Sequence, residues 1–196
     1  RIKETMTKIG ITGGIGSGKS VISRILKIMH YPVYDSDYWA KFLMNNDKTI
    51  YKALTDKFGP ETYSSEGINR PFLAQLIFNN KENLTFVNSI VHPAVGNHFL
   101  QWAEEQQSSI VFIESAILFS SGLNKIINKT IYVDAPQEIR LQRAILRDNA
   151  TTEAISARIK NQINGDEYAR THSDYIINND NTSLLIPQII SILQNL

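Results

Sequence analysis

The 196-residue chain contains no cysteine. That absence excludes disulfides, thiolate metal sites and a thiol nucleophile, and it fits a reducing, cytoplasmic setting. An excess of charge of one sign is also lacking: 20 Lys+Arg stand against 19 Asp+Glu, a formal net charge of +1. So close a balance argues against a protein that grips nucleic acid non-specifically through many phosphates, while leaving room for a local basic patch. Long apolar runs are missing as well. Stretches such as Ile110–Ile113 and Ala116–Phe119 fall far short of the ~20 residues that a bilayer-crossing helix needs. The opening RIKETMTKIGITGG has no apolar core of signal-peptide length. With 6 prolines and 10 glycines the chain is neither collagenous nor low-complexity. A composition of 42% hydrophobic and 20% charged residues predicts one globular domain, or one with an insertion. No nucleic-acid or membrane partner is expected, and the chain is expected to be a monomer or a small homo-oligomer.

What is present is well punctuated. Lys8–Thr12 (KIGIT) is a short apolar run ending in GGIGSGKS, and Val21, Ile22, Ile25, Leu26 and Met29 follow at helical spacing. The order is strand, glycine turn, helix. Tyr31–Asp35, Ile110–Glu114, Thr130–Asp134 and Asp174–Asn178 read as further strands, and Gln137–Arg147, Glu153–Asn164 and Ser183–Leu193 as helices. Strands alternating with helices predict an α/β fold whose parallel sheet is covered on both faces. Between Asp37 and Gln107 the pattern is helical, broken at Phe58-Gly59-Pro60 and at His92-Pro93, with no clear strand. About seventy residues are too many for a simple connection, so this stretch is expected to be a helical insertion.

Gly13, Gly18, Lys19 and Ser20 satisfy G-x-x-x-x-G-K-[ST]. A chance match is expected in on the order of one chain in a hundred, and here the motif also follows a strand and opens a helix, as its mechanism requires. The glycines let backbone N–H groups turn toward phosphate oxygens, and the new helix adds its positive end. Lys19 is expected to reach the β- and γ-phosphates, and the Ser20 hydroxyl to ligate Mg²⁺. Gly14, Ile15, Gly16, Ser17, Gly18 and Val21 complete the expected nucleotide contacts.

Asp35-Ser36-Asp37 ends the second strand, at the side of a parallel sheet where ligands bind. One of these acids can serve as general base, while the other orients metal-bound water or caps the next helix. Glu114 closes the third strand, where a carboxylate would sit near magnesium. Arg140, Arg143 and Arg147 form a basic stripe on one predicted helix, which Arg158 and Lys160 extend, suited to clamping a transferring phosphoryl group. A regulatory GTPase is disfavoured, because Asn124-Lys125 and Asn128-Lys129 lack the acid of N-K-x-D, and Asp56–Gly59 matches D-x-x-G inside the insertion. His92 and His98 are six apart, unlike helical metal ligands, and no zinc site is expected. Trp39 and Trp102 are assigned to core packing.

An ordered set of motifs resembles the dephospho-coenzyme A kinase family: IGITGGIGSGKS, YDSDYWAK, GINR, NSIVHPAV, ESAILFSSGL, RLQRAILRDNATTEAISARIKNQ and SDYIINND. The resemblance implies a three-layer P-loop NTPase fold with a five-stranded parallel sheet. The nucleotide core would cover 6–37, 108–136 and 168–196, a CoA-binding helical insertion 38–107, and a helical lid 137–167. It further implies ATP-dependent phosphorylation of the ribose 3′-hydroxyl of dephospho-CoA, the last step of CoA synthesis. By the same resemblance Asp37 is the base, Lys19 and Arg140 assist transfer, and Arg70 and His92 belong to the substrate site. Asn178 and Asn179 fall in the loop near adenine, and Ser20 with Glu114 at the metal. The chain departs from the family pattern at Ala116, where proline is common, at Ser120, where an acid is common, and at Lys41 and Val21. A shikimate-type kinase shares the phosphate loop and D-x-D, but no glycine pair occurs between Gly67 and Gly96. A nucleotide-regulated binding module is disfavoured by an intact Asp37.

Overall fold

The computed structural model describes residues 6–78 and 80–196. The elements run β1 (Thr7–Thr12), α1 (Lys19–Ile28), β2 (Val33–Asp35), α2 (Ser36–Asn46) and α3 (Lys48–Phe58). Two very short strands follow, β3 (Tyr63–Ser64) and β4 (Gly67–Ile68), then α4 (Arg70–Phe78), α5 (Lys81–Glu104) and β5 (Ile110–Glu114). The chain closes with β6 (Lys129–Asp134), α6 (Gln137–Asp148), α7 (Thr152–His172), β7 (Tyr175–Asn178) and α8 (Leu185–Gln194). These elements form two compact units, one up to Tyr34 and from Gln106 to Leu196, the other Asp35–Glu105. Among the described residues no helix is long and apolar enough to cross a membrane.

The first unit is built on a five-stranded parallel sheet in the order β2-β5-β1-β6-β7. β1 is central, pairing in parallel with β5 and β6, and β6 pairs in parallel with β7. A central parallel strand is buried on both faces, so it reads as continuously apolar rather than alternating. Ile9, Ile11, Phe112, Ile131, Val133 and Ile177 form one core with Ile22 and Leu26 of α1 and Ile189 and Ile192 of α8. Val111, Ile113 and Tyr132, alternating with them along the strands, are buried too. A smaller core of Ala144, Ile155 and Ile159 joins α6 to α7, with Ile15 of the glycine loop packed against it. Asn149, left-handed at φ 47, ends α6, and the Thr151 hydroxyl accepts from the Ala154 N–H to start α7.

The helix expected over Glu153–Asn164 is only the first part of α7, which continues to His172. Gly165 follows the expected end, but a lone glycine costs a helix only about 1 kcal/mol, and the residues beyond it are good enough formers to carry on.

The second unit is helical, α2 packing on α5 and α3, and α4 on α5. Asp47 both ends α2 and caps α3, its carboxylate accepting from the N–H groups of Thr49 and Ile50 at 2.7 and 2.9 Å. Two expectations are corrected here. The stretch does contain strands: β3 and β4 form an antiparallel ladder pairing Tyr63 with Ile68 and Ser64 with Gly67. Two residues per strand are too few to display a period-2 pattern. His92-Pro93 does not break the chain either, because α5 runs through Pro93. An interior proline costs ~3 kcal/mol, but the stripe of Val87, Val91, Val95, Phe99 and Ala103 is buried, and each large apolar side chain gives about 1.5–3 kcal/mol. Packing outweighs the lost hydrogen bond.

Candidate active site

The phosphate loop connects β1 to α1 within the first unit. α1 begins at Lys19 with Gly18 as its N-cap in the left-handed region, φ 95 and ψ 25, and no side chain caps it. The Val21 N–H already bonds the Gly18 carbonyl at 2.9 Å, and with no side-chain cap among the described residues the positive end of the helix stays open to an anion. Lys19 Nζ donates to the Gly13 and Gly14 carbonyls at 2.7 and 3.1 Å, which holds the cation over the loop. Among the described residues the buried Ser17 hydroxyl has no hydrogen-bond partner, an orphan polar group of the kind a bound ligand can satisfy. Val21 lies exposed in the first turn.

Parallel pairing of β1 with β5 sets Glu114 opposite Ile11, beside the loop. Ser20 Oγ donates to Glu114 Oε1 at 2.9 Å. Two hard oxygen donors a hydrogen bond apart fit Mg²⁺, which keeps several waters and takes few protein ligands.

Three side chains brace the loop through its carbonyls, Arg143 by the longest bond, from Nη1 to the Ser17 carbonyl at 3.5 Å. Arg140 Nε donates to the Ile15 carbonyl at 2.9 Å, and its Nη2 to Asp166 Oδ2 at 2.6 Å. Asn179, buried at the end of β7, donates from Nδ2 to the Ser17 carbonyl at 2.8 Å. Its Oδ1 accepts from Arg143 Nη2 at 3.3 Å, and Arg143 also donates to Asn181. The predicted basic stripe therefore splits by depth. Arg140 and Arg143 hold the loop, while Arg147 pairs with its neighbour Asp148, which Arg158 also reaches. The energies differ accordingly. Exposed pairs such as Arg147–Asp148 contribute about 0–1 kcal/mol and breaking a fully buried one costs about 3–5 kcal/mol; Arg140–Asp166, partly buried at 11% and 16% exposure, lies between the two. Asn178 is exposed, its backbone N–H and carbonyl both bonded to the Gln188 amide. Burial pushes the nearby Tyr132 hydroxyl up to about 12, so it stays protonated.

A cleft of about 480 Å³ adjoins the loop in the same unit. Thr12, residues 116–120, Gln162, Asp166 and Tyr168 line it. Phe119 meets Tyr168 edge-on, and Tyr168 stacks on His172 at 3.8 Å. Ser120, where the family pattern has an acid, stands at the cleft and donates to the Ile117 carbonyl.

The other predicted site residues lie in the helical unit. Asp35 caps α2, accepting from the Tyr38 N–H at 3.0 Å. Asp37 is exposed in the first turn of α2, and Arg70, also exposed, opens α4. His92 lies half-buried in α5, and burial lowers its pKa. Trp39 packs on Phe42 and His98. The loop, Glu114, Arg140 and Asn179 are thus brought together, and Asp37, Arg70 and His92 are carried on three separate helices of the second unit. Sequence reasoning missed Asp166 and Asn181. Asp166 is 26 residues from Arg140 and Asn181 is 38 from Arg143, and no local spacing announces either pair.

A parallel sheet whose central strand feeds a phosphate loop, with lysine, serine and a neighbouring strand-end carboxylate, defines a P-loop NTPase of the small-kinase type. The dephospho-CoA kinase (CoaE) family profile matches residues 7–184, and the chain belongs to that family. This makes it a kinase, and kinases draw on ATP. It is 43% identical to dephospho-CoA kinase of Porphyromonas gingivalis over 189 residues, covering 96% of this chain and 94% of that protein. The structure is similar to a crystal structure from Thermus thermophilus, with a TM-score of 0.84, 28% identity and 97% of each chain covered. The dephospho-CoA kinase structure from Campylobacter jejuni shares the fold at a TM-score of 0.69 and 24% identity, covering 96% of each chain.

Proposed function

We propose that this chain transfers the γ-phosphoryl group of ATP to the ribose 3′-hydroxyl of dephospho-CoA, giving CoA and ADP in the last step of CoA synthesis. The observation that carries the reading is the uncapped start of α1 beneath Lys19 and Ser20, in a chain of the dephospho-CoA kinase family. The loop amides and Lys19 hold the triphosphate, and Lys19 exchanges the Gly13 and Gly14 carbonyls for phosphate oxygens. Ser20 and Glu114 would hold Mg²⁺, which when bound neutralises charge on the β- and γ-phosphates. Asp37 accepts the proton of the attacking hydroxyl. Arg70 and His92 contact the acceptor, residues 38–107 form its binding unit, and 137–167 act as a lid that excludes water. Arg140 serves the transferring group chiefly by shaping the loop. Asn178 and Asn179 flank the adenine side. The cysteine-free sequence supports a cytoplasmic setting.

The test mixes the protein with Mg²⁺-ATP, with and without dephospho-CoA, and follows ADP release and CoA mass. ADP that depends on the acceptor and matches CoA one-to-one is expected. ADP without CoA would assign another acceptor, and no ADP would leave a binding module.

A further inference from the structure

Asp166 belongs to none of the motifs above, yet it stands where α7 meets the phosphate loop. Its carboxylate receives Arg140 Nη2 at 2.6 Å, while Arg140 Nε is bonded to the Ile15 carbonyl. A planar guanidinium can serve both acceptors at once because its N–H groups form a rigid fork. The loop presses on this pair: a Cβ at Gly14 would stand 1.8 Å from Arg140 Nη2 and 2.3 Å from Asp166 Oδ2. Arg140 as a whole is 9% exposed, so without the carboxylate its guanidinium would lack a counter-charge in a largely buried place, which loosens its hold on the Ile15 carbonyl. Asp166 also lines the cleft beside Thr12 and Phe119. One carboxylate therefore touches the wall of the cleft and, through one arginine, the crest of the loop.

We infer that Asp166 is a positioning residue for phosphoryl transfer: it holds Arg140 against the Ile15 carbonyl and so fixes the phosphate loop to α7. The role rests on the kinase reading, because it concerns the loop that receives ATP. It does not depend on which hydroxyl is the acceptor. Asp166 acts on the loop's ground-state shape, so its loss weakens nucleotide binding before it slows chemistry. Arg140→Lys keeps a charge but not the fork, and breaks the same bridge.

Binding of the non-hydrolysable analogue adenylyl-imidodiphosphate with Mg²⁺, measured by calorimetry without acceptor, tests this. Asp166→Asn is expected to bind it roughly tenfold more weakly, and Asp166→Glu to recover most of the loss. The double variant Asp166→Asn with Arg140→Lys is expected to be no worse than Asp166→Asn alone, since both remove one bridge. In turnover, the ATP KM of Asp166→Asn rises more than its kcat falls. Should Asp166→Asn not fold, Asp166→Glu and Arg140→Lys carry the comparison. Here Arg140→Lys must bind the analogue roughly tenfold more weakly, and Asp166→Glu must stay close to the native chain. Native binding of the analogue with unchanged binding by Asp166→Asn, or additive losses in the double variant, overturns the inference. A native chain that does not bind the analogue overturns the kinase reading along with it.

Discussion

The two units handle their proposed functional residues differently. In the sheet unit, Lys19, Ser20, Glu114, Arg140 and Asn179 are tied by hydrogen bonds into one framework around the loop. In the helical unit, Asp37, Arg70 and His92 ride on α2, α4 and α5, with Asp37 and Arg70 exposed to solvent. A triphosphate is compact and highly charged, so a short, rigid stretch of backbone can be made ready for it. An extended acceptor offers contacts scattered over its length, and side chains from several helices suit it. Under the proposed function, damage to the sheet unit is expected to remove ATP binding, whereas damage to the helical unit is expected to spare it.

The largest effect tests the sheet unit first. Lys19→Ala is expected to lower transfer on the order of a thousandfold, read from the rate of CoA formation; near-native turnover would detach Lys19 from the phosphates. Glu114→Gln leaves Ser20 with a neutral partner in place of its carboxylate and is expected to raise the Mg²⁺ requirement by about 10- to 100-fold. A Mg²⁺ titration of turnover checks it, and an unchanged midpoint would remove Glu114 from the metal's surroundings. Gly16→Ala probes the same unit through the backbone. Gly16 has φ 75, and an added Cβ would lie 2.1 Å from the Arg140 carbonyl oxygen. The strained φ alone costs about 1–3 kcal/mol, visible as a lower denaturant midpoint.

The smallest effect belongs to the helical unit and is one of pH. Burial lowers the His92 pKa below its ordinary 6.5, so the folded chain binds that proton less tightly than the unfolded chain. Stability from this group is complete above 6.5 and is lost as pH falls through the lowered folded value. Thermal unfolding between pH 7.5 and 5 should therefore slope less in His92→Gln than in the native chain. An identical slope would mean that His92 titrates alike in both states.

Legibility in the sequence followed the same division. The strand–loop–helix order, the strand near Glu114 and the loop itself could be read because each depends on neighbours in sequence. The alternation of strands with helices, as in β1–α1–β2 and β6–α6–α7–β7–α8, gave the parallel sheet in the same way. The two-residue ladder of β3 and β4 was below the length at which a pattern can be seen. Pro93 signalled a break that packing overrode, and helix propensity carries α7 beyond Asn164. Asp35 and Asp37 were legible as a pair, but only the structure assigns the capping bond to Asp35. The loop braces were hidden for another reason. The Arg140–Asp166 and Asn179–Ser17 contacts join residues 26 and 162 apart, and depend on how α6, α7 and β7 assemble around β1.

The most direct test of this division of labour is the Asp37→Asn variant, assayed for adenylyl-imidodiphosphate binding and for CoA formation in the same preparation. Native affinity for the analogue is expected, with transfer reduced about 10²- to 10⁴-fold for loss of a general base. Native rates of CoA formation, or loss of analogue binding together with transfer, would contradict it.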